Sequence, residues 1–133
     1  AIDFFEHFNK PELLRLGKLI CEALEEDGLL VLQTPNGKSP FGIRNIYGDF
    51  THLTIFSDES VRQWLGVAGF SEVSTFCPTP GVLTWRDAVR IFLRRVILQF
   101  LKYKTFVVTG RLESNLGENI IVVAKRGPIA LNG

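Results

Sequence analysis

The chain of 133 residues has no methionine, and only two cysteines and two histidines. Two thiols, Cys21 and Cys77, cannot build a disulfide framework, and no CxxC pair offers the usual spacing of zinc ligands. No apolar run approaches the roughly 20 residues needed to cross a bilayer. No basic leader followed by an apolar core marks a secretory signal, which together with the lone thiols gives the expectation of a cytoplasmic protein. The missing methionine and the opening Ala1-Ile2-Asp3 give a second expectation, that the sequence begins inside a larger protein. Phosphate-cradling glycine patterns (GxGxxG and the Walker loop) are absent, and so is the GxSxG nucleophile elbow.

Hydrophobic residues make up 46% of the chain and charged residues 22%, a balance that excludes disorder and low complexity. The length suits one domain with a real core. Charge is unevenly spread. Residues 1–77 carry six basic against eleven acidic residues (net −5), and residues 78–133 carry nine against three (net +6), which together give the overall +1. A chain with one acidic and one basic half is not a general nucleic-acid binder, and no nucleic-acid partner is expected.

The order of elements follows from hydrophobic spacing. Residues 1–4 read as the end of an apolar strand. Residues 11–27 read as a helix, with Pro11 in its first turn, Leu13, Leu16, Ile20 and Leu24 at helical spacing, and Gly28 as its stop. The run Leu29 to Thr34 is apolar throughout, as in a central parallel strand buried on both faces. Residues 35–56 are a long loop. Ser57 caps a helix carrying Val61, Trp64, Leu65 and Ala68 that ends at Gly69. A strand over 70–76, a helix over 84–105 and a buried strand over 119–125 follow. Such alternation predicts an α/β fold with a mostly parallel sheet and helices packed on it. Sheets of that kind bind ligands beyond the carboxyl ends of their strands, which directs attention to residues 3–10 and 34–56.

The first of these loops reads Asp3-Phe4-Phe5-Glu6-His7-Phe8. In a helical turn Asp3, Glu6 and His7 share one face, and two carboxylates with an imidazole can hold a divalent cation or move a proton. The plainer alternative is three polar groups on a solvated turn. The second loop carries Arg44, Asn45, Tyr47, Asp49, Thr51 and His52 among aromatic residues; loops this long are usually functional or disordered, and the aromatics argue that this one packs down. His52 is expected beside Glu6, because both loops leave neighbouring strand ends. Its alternative is a histidine bonded to a nearby backbone carbonyl. Tyr47 and Phe50 are expected in the cleft wall. Cys21, inside a helix, reads as core packing.

The 84–105 helix has an apolar stripe of Val89, Phe92, Leu93, Val96, Ile97, Phe100 and Leu101, with Arg86, Arg90, Arg94, Arg95, Lys102 and Lys104 on its other faces. Contact with an anionic membrane is one use of such a helix. The reading adopted from sequence is an ordinary domain helix that buries the stripe and solvates the charges.

The segments "AIDFFEHF", "EEDGLLVLQTPN" and "DFTHLTIFSDESVRQWLGVAGFSEV" occur in that order. Together they resemble the second half of a Rossmann-like, class I, S-adenosylmethionine-dependent methyltransferase. In that family a fourth strand ends in an "EH" turn, a fifth strand follows a helix and a glycine turn, an "H…FS…L…AGF" helix comes next, and a last antiparallel strand inserts into the sheet. Asp27-Gly28 stands where a glycine pair is usual. The resemblance covers nearly all of residues 1–133, least well 78–118, the region that varies with substrate.

The resemblance implies an enzyme that transfers a methyl group from S-adenosylmethionine to a small molecule or an envelope-precursor sugar or lipid. It implies cofactor contact at Ala1, Ile2 and Asp3, largely through the backbone of Ile2. It places Glu6 and His7 on the acceptor side, and with His52, expected beside Glu6 from the loops, they are the candidate catalytic residues. In the ubiquinone-biosynthesis O-methyltransferases the spacing of Asp3, Glu6 and His7 is similar to that of a magnesium site, and in cyclopropane synthases a similar glutamate helps hold bicarbonate. The family's glycine-rich cofactor loop would lie before Ala1, so this chain alone is expected to bind the cofactor weakly or not at all. The alternative is a binding module that keeps the fold without the chemistry.

Overall fold

The structure, a computed structural model, describes residues 1–79, 81–113 and 115–127. Residues 128–133, at the end of the expected 1–133 domain, and residues 80 and 114, within its variable 78–118 segment, lie outside the described residues.

A short 3-10 turn at Phe5–His7 precedes α1 (Lys10–Ala23) and β1 (Leu29–Pro35). Then come α2 (Ile43–Tyr47), α3 (Asp58–Ala68), β2 (Phe70–Phe76), α4 (Trp85–Thr109) and β3 (Asn119–Arg126). Caps written in the sequence set the helix starts. The side chains of Asn9, Ser57 and Thr84 each accept an N–H from the third helical residue, and that residue's side chain returns the bond, a reciprocal box that satisfies two otherwise orphaned donors. Gly69 ends α3 in the left-handed region at φ 107°, a conformation that costs glycine nothing. Helix α1 stops before the expected Gly28, with Leu24 already extended. Its late acids Glu22, Glu25 and Glu26 oppose the helix dipole, which favours this early end.

The sheet corrects the expectation of mostly parallel pairing. Its order is β1-β3-β2, and β3 pairs antiparallel with both neighbours, Leu32 opposite Val122 on one side and Val73 opposite Ala124 on the other. Strands β1 and β2 do run the same way, as a helical crossover requires. Direction is not pairing, however: β3 returns through α4 and inserts between them. Among the described residues, parallel contacts occur only as isolated bridges, Ile2 with Gln33 and Asn36 with Phe56. The fold remains α/β.

Helices α1 and α3 cover one face of the sheet. The core joins Leu32, Ile120, Val122 and Ala124 of the strands to Leu13 and Cys21 of α1 and to Val61, Trp64, Leu65 and Ala68 of α3. Cys21 is core packing, as its helical position suggests. Gly17 lets the two helices close: a Cβ there would lie 2.9 Å from both Ala68 Cβ and Trp64 Nε1, and that indole N–H donates to the Leu13 carbonyl at 2.7 Å. The expectation that β1 is buried on both faces fails at Leu29 and Val31, which are exposed, because no described helix covers their side of the sheet.

Helix α4 also differs from expectation. Its one fully buried residue is Ile91, while Val89, Phe92, Leu93, Val96, Ile97 and Phe100 of the stripe assigned to the core are all exposed.

Candidate functional site

The first loop is shaped by Phe5. Its ring is buried and stands 5.2 Å from that of Trp64, which pins the 3-10 turn to the core. Upstream, the chain lies along β1: the Gln33 N–H donates to the Ala1 carbonyl and the Asp3 N–H donates to the Gln33 carbonyl. Asp3 then turns through φ 45°, a left-handed conformation that aspartate tolerates better than most residues.

The turn sends Glu6 inward. Its side chain is 2% exposed. The Thr34 hydroxyl, at the end of β1, donates to Glu6 Oε2 at 3.3 Å. Oε1 is buried without a hydrogen-bond partner. The Glu6 carbonyl accepts the N–H groups of Leu53 at 2.8 Å and Thr54 at 3.0 Å, so the same residue fastens the long loop and brings His52 over.

His52 Nε2 lies 4.0 Å from Glu6 Oε1 and 3.9 Å from Asp49 Oδ2. Its Nδ1 faces the Ile46 carbonyl at 3.2 Å. A carbonyl can only accept, so Nδ1 carries the proton in that bond, and neutral His52 offers an Nε2 lone pair to the cleft. His7 is held by the same logic. The Thr51 hydroxyl donates to Asp49 Oδ1 at 2.7 Å, which leaves its oxygen to accept from His7 Nδ1 at 2.8 Å. Both imidazoles therefore present Nε2, with ring centroids 4.8 Å apart. Asp49 is held below the usual carboxylate range, first by the Thr51 hydroxyl and then by the Thr51 N–H.

Glu6, His7 and His52 thus converge, as their loops suggested, in an open cleft of about 570 Å³ that Arg44, Asn45 and Asn119 also line. That volume lies within the range of small-molecule sites. The carbonyl-bonded alternative for His52 is also realised, and it is what fixes the tautomer. Of the expected wall, Tyr47 and Phe50 are exposed instead, Phe50 completely. Ala1, Ile2 and Asp3 are exposed at the edge of the sheet, and only Asp3 of the three lines the cleft. Sequence reasoning missed Thr34 and Asn119, which sit inside strands. A polar residue at the end of an otherwise apolar strand was the available signal.

The donor set bears on the magnesium analogy. The ligand atoms within 4.8 Å of one another belong to Glu6, His7 and His52, and Asp3 stands outside that group. Two imidazoles and one carboxylate match borderline transition cations rather than magnesium, which takes oxygen ligands. The magnesium set does not fit.

A second group of acids, Asp58, Glu59 and Glu113, is gathered around Lys38. Burial works against the lysine's charge, but the hydrogen bonds it donates to Glu59, Glu113 and Asp58 outweigh it and raise its pKa. This cluster ties the long loop to α3 and to the segment before β3.

No family model matches the chain, and no curated protein does. Among solved structures the fold resembles that of a SAM-dependent methyltransferase from Archaeoglobus fulgidus, at a TM-score of 0.61 and 18% identity. The match covers 95% of this chain and 57% of that one. The chain therefore has a methyltransferase-like fold and spans a little over half the length of that structure.

Proposed function

We propose that the chain is the carboxyl-terminal part of an S-adenosylmethionine-dependent methyltransferase acting on a small-molecule or envelope-precursor acceptor. One observation carries this reading: in a methyltransferase-like fold, two histidines of fixed tautomer and a buried carboxylate meet where the first loops leave the sheet. The bridge to Gln33 engages the Ala1 carbonyl and the Asp3 N–H, so parallel pairing turns the N–H and C=O of Ile2 the other way. Those groups are free to take a cofactor, in keeping with contact at Ala1, Ile2 and Asp3. When bound, the cofactor supplies a sulfonium methyl group as electrophile.

The residues of the chain manage the acceptor. His7 Nε2 takes the proton that an O–H or N–H acceptor loses as it attacks the methyl carbon. The Thr51 hydroxyl, itself held by the exposed Asp49, orients the ring from behind Nδ1. Glu6 fastens the loop that carries His52 through its backbone carbonyl and faces the His52 ring with its side chain, and Arg44 and Asn45 offer donors to the acceptor. The test is transfer of labelled methyl from S-adenosylmethionine by the full-length protein to a panel of hydroxyl and amine acceptors. Cofactor binding without transfer to any acceptor would replace this reading with that of a binding module.

A further inference from the structure

Helix α4 has 25 residues, about 37 Å of length, and presents two unlike faces. Ile91 is buried and Asp87, Arg94, Leu98, Leu101 and Thr105 are half-buried toward the domain. On the opposite side Trp85, Val89, Phe92, Val96, Phe100, Tyr103 and Val107 follow one another at intervals of three and four, which confines them to an arc of about 80°. All are exposed, Trp85 by 73% and Phe92, Phe100 and Tyr103 by about two thirds. At 100° per residue, Arg86, Arg90 and Lys104 flank this stripe on one side and Arg95 on the other, while Lys102 is half-buried toward Ile91. The helix's single acid, Asp87, accepts from the N–H and hydroxyl of Thr84 at the amino-terminal cap.

We infer that α4 lies in the surface of an anionic membrane, with its aromatic stripe at the acyl boundary and its two basic flanks against lipid phosphates. Charge selects this occupant. Arginine and lysine on both borders of an apolar stripe can extend their heads outward while their stems cover apolar surface. A second copy of the chain on the same stripe would bring basic flanks against basic flanks, and the one carboxylate of each helix, Asp87, is already engaged by the Thr84 cap and by Arg90 at 3.8 Å. Among the described residues, no helix is long and apolar enough to cross a membrane, so the geometry is in-plane. Both ends of α4 connect to the end of the sheet where β2 finishes and β3 begins, the same end at which the cleft opens beside Asn119. The inference does not depend on methyl transfer.

Flotation with vesicles of phosphatidylcholine, with and without about 30% phosphatidylglycerol, tests it. The purified chain is expected to float with the anionic vesicles and to be released at about 0.5 M salt. The emission of Trp85 should shift to the blue on binding, and Trp85→Phe should abolish that shift. Phe92→Ser with Phe100→Ser, and separately Arg90→Glu with Arg95→Glu, should each weaken partitioning by about tenfold or more. Since these side chains are exposed, circular dichroism should stay unchanged. No flotation, or equal flotation with both vesicle types, would overturn the proposal. So would a dimer in light scattering that Phe92→Ser dissociates, because a second copy would then own the stripe.

Discussion

His7 and His52, 45 positions apart in sequence, stand with ring centroids 4.8 Å apart and each commits Nδ1 to a fixed acceptor. The Thr51 oxygen takes one proton and the Ile46 carbonyl the other, so both rings leave Nε2 available. Glu6 links the two histidines: its backbone fastens the loop that brings His52, and its side chain faces the His52 ring.

If these groups handle the acceptor's proton, Glu6→Gln and His7→Ala should each lower methyl-transfer turnover by about 10²-fold. Glutamine keeps the shape of Glu6, so circular dichroism should match the parent protein. Asp49→Asn acts on His7 through Thr51 and on His52 across 3.9 Å, and should shift the pH profile of turnover rather than abolish it. Near-parental turnover in both of the first two variants would remove the catalytic assignment.

Thr34→Val should destabilise the fold by about 1–3 kcal/mol, the scale for leaving a buried polar group without its partner. The lost bond is the hydroxyl donation to Glu6 Oε2, and valine preserves the volume. Urea denaturation measures the change. In the background of Glu6→Leu, where no carboxylate waits for the donor, the Thr34→Val penalty should shrink.

Gly17→Ala should cost about 1–3 kcal/mol despite alanine's better helix propensity, because overpacking prevails at this crossing. The added carbon would meet Trp64 Nε1 and Ala68 Cβ at 2.9 Å. Trp64 fluorescence reports the shift directly, and an unchanged melting temperature would contradict the packing argument.

The Lys38 cluster gives a pH dependence. Glu59 is held down to about 2 from an ordinary value of 4.5, chiefly by its hydrogen bond from Lys38. A carboxylate whose folded pKa is depressed stabilises the fold above its unfolded pKa and loses that contribution as pH falls through the folded one. Stability should therefore decline as pH drops from 4.5 toward 2. Lys38→Met leaves Asp58, Glu59 and Glu113 gathered without a cation, so acidification over the same window should relieve their repulsion. Parallel pH–stability curves for parent and variant would contradict this account.

Much of the local structure could be read from the sequence because it depends on neighbours in the chain. Ser57 ahead of an amphipathic run specifies α3, Gly69 ends it, and the apolar period of residues 119–125 marks β3. The meeting of Glu6 and His52 was legible too, since consecutive loops of an α/β unit leave the sheet at one end. Strand pairing was not: alternation fixes the direction of β1 and β2, and only the return of β3 between them makes every ladder antiparallel. Nor could the sequence tell which side of α4 faces the domain. Apolar residues occupy several of its faces, and the neighbours that cover Ile91 while leaving Phe92 in the open exist only once the chain has folded. The histidine tautomers were settled the same way. Residue type makes an imidazole available, but the Ile46 carbonyl and the Thr51–Asp49 pair decide which nitrogen faces the cleft, and tertiary structure alone brings them there.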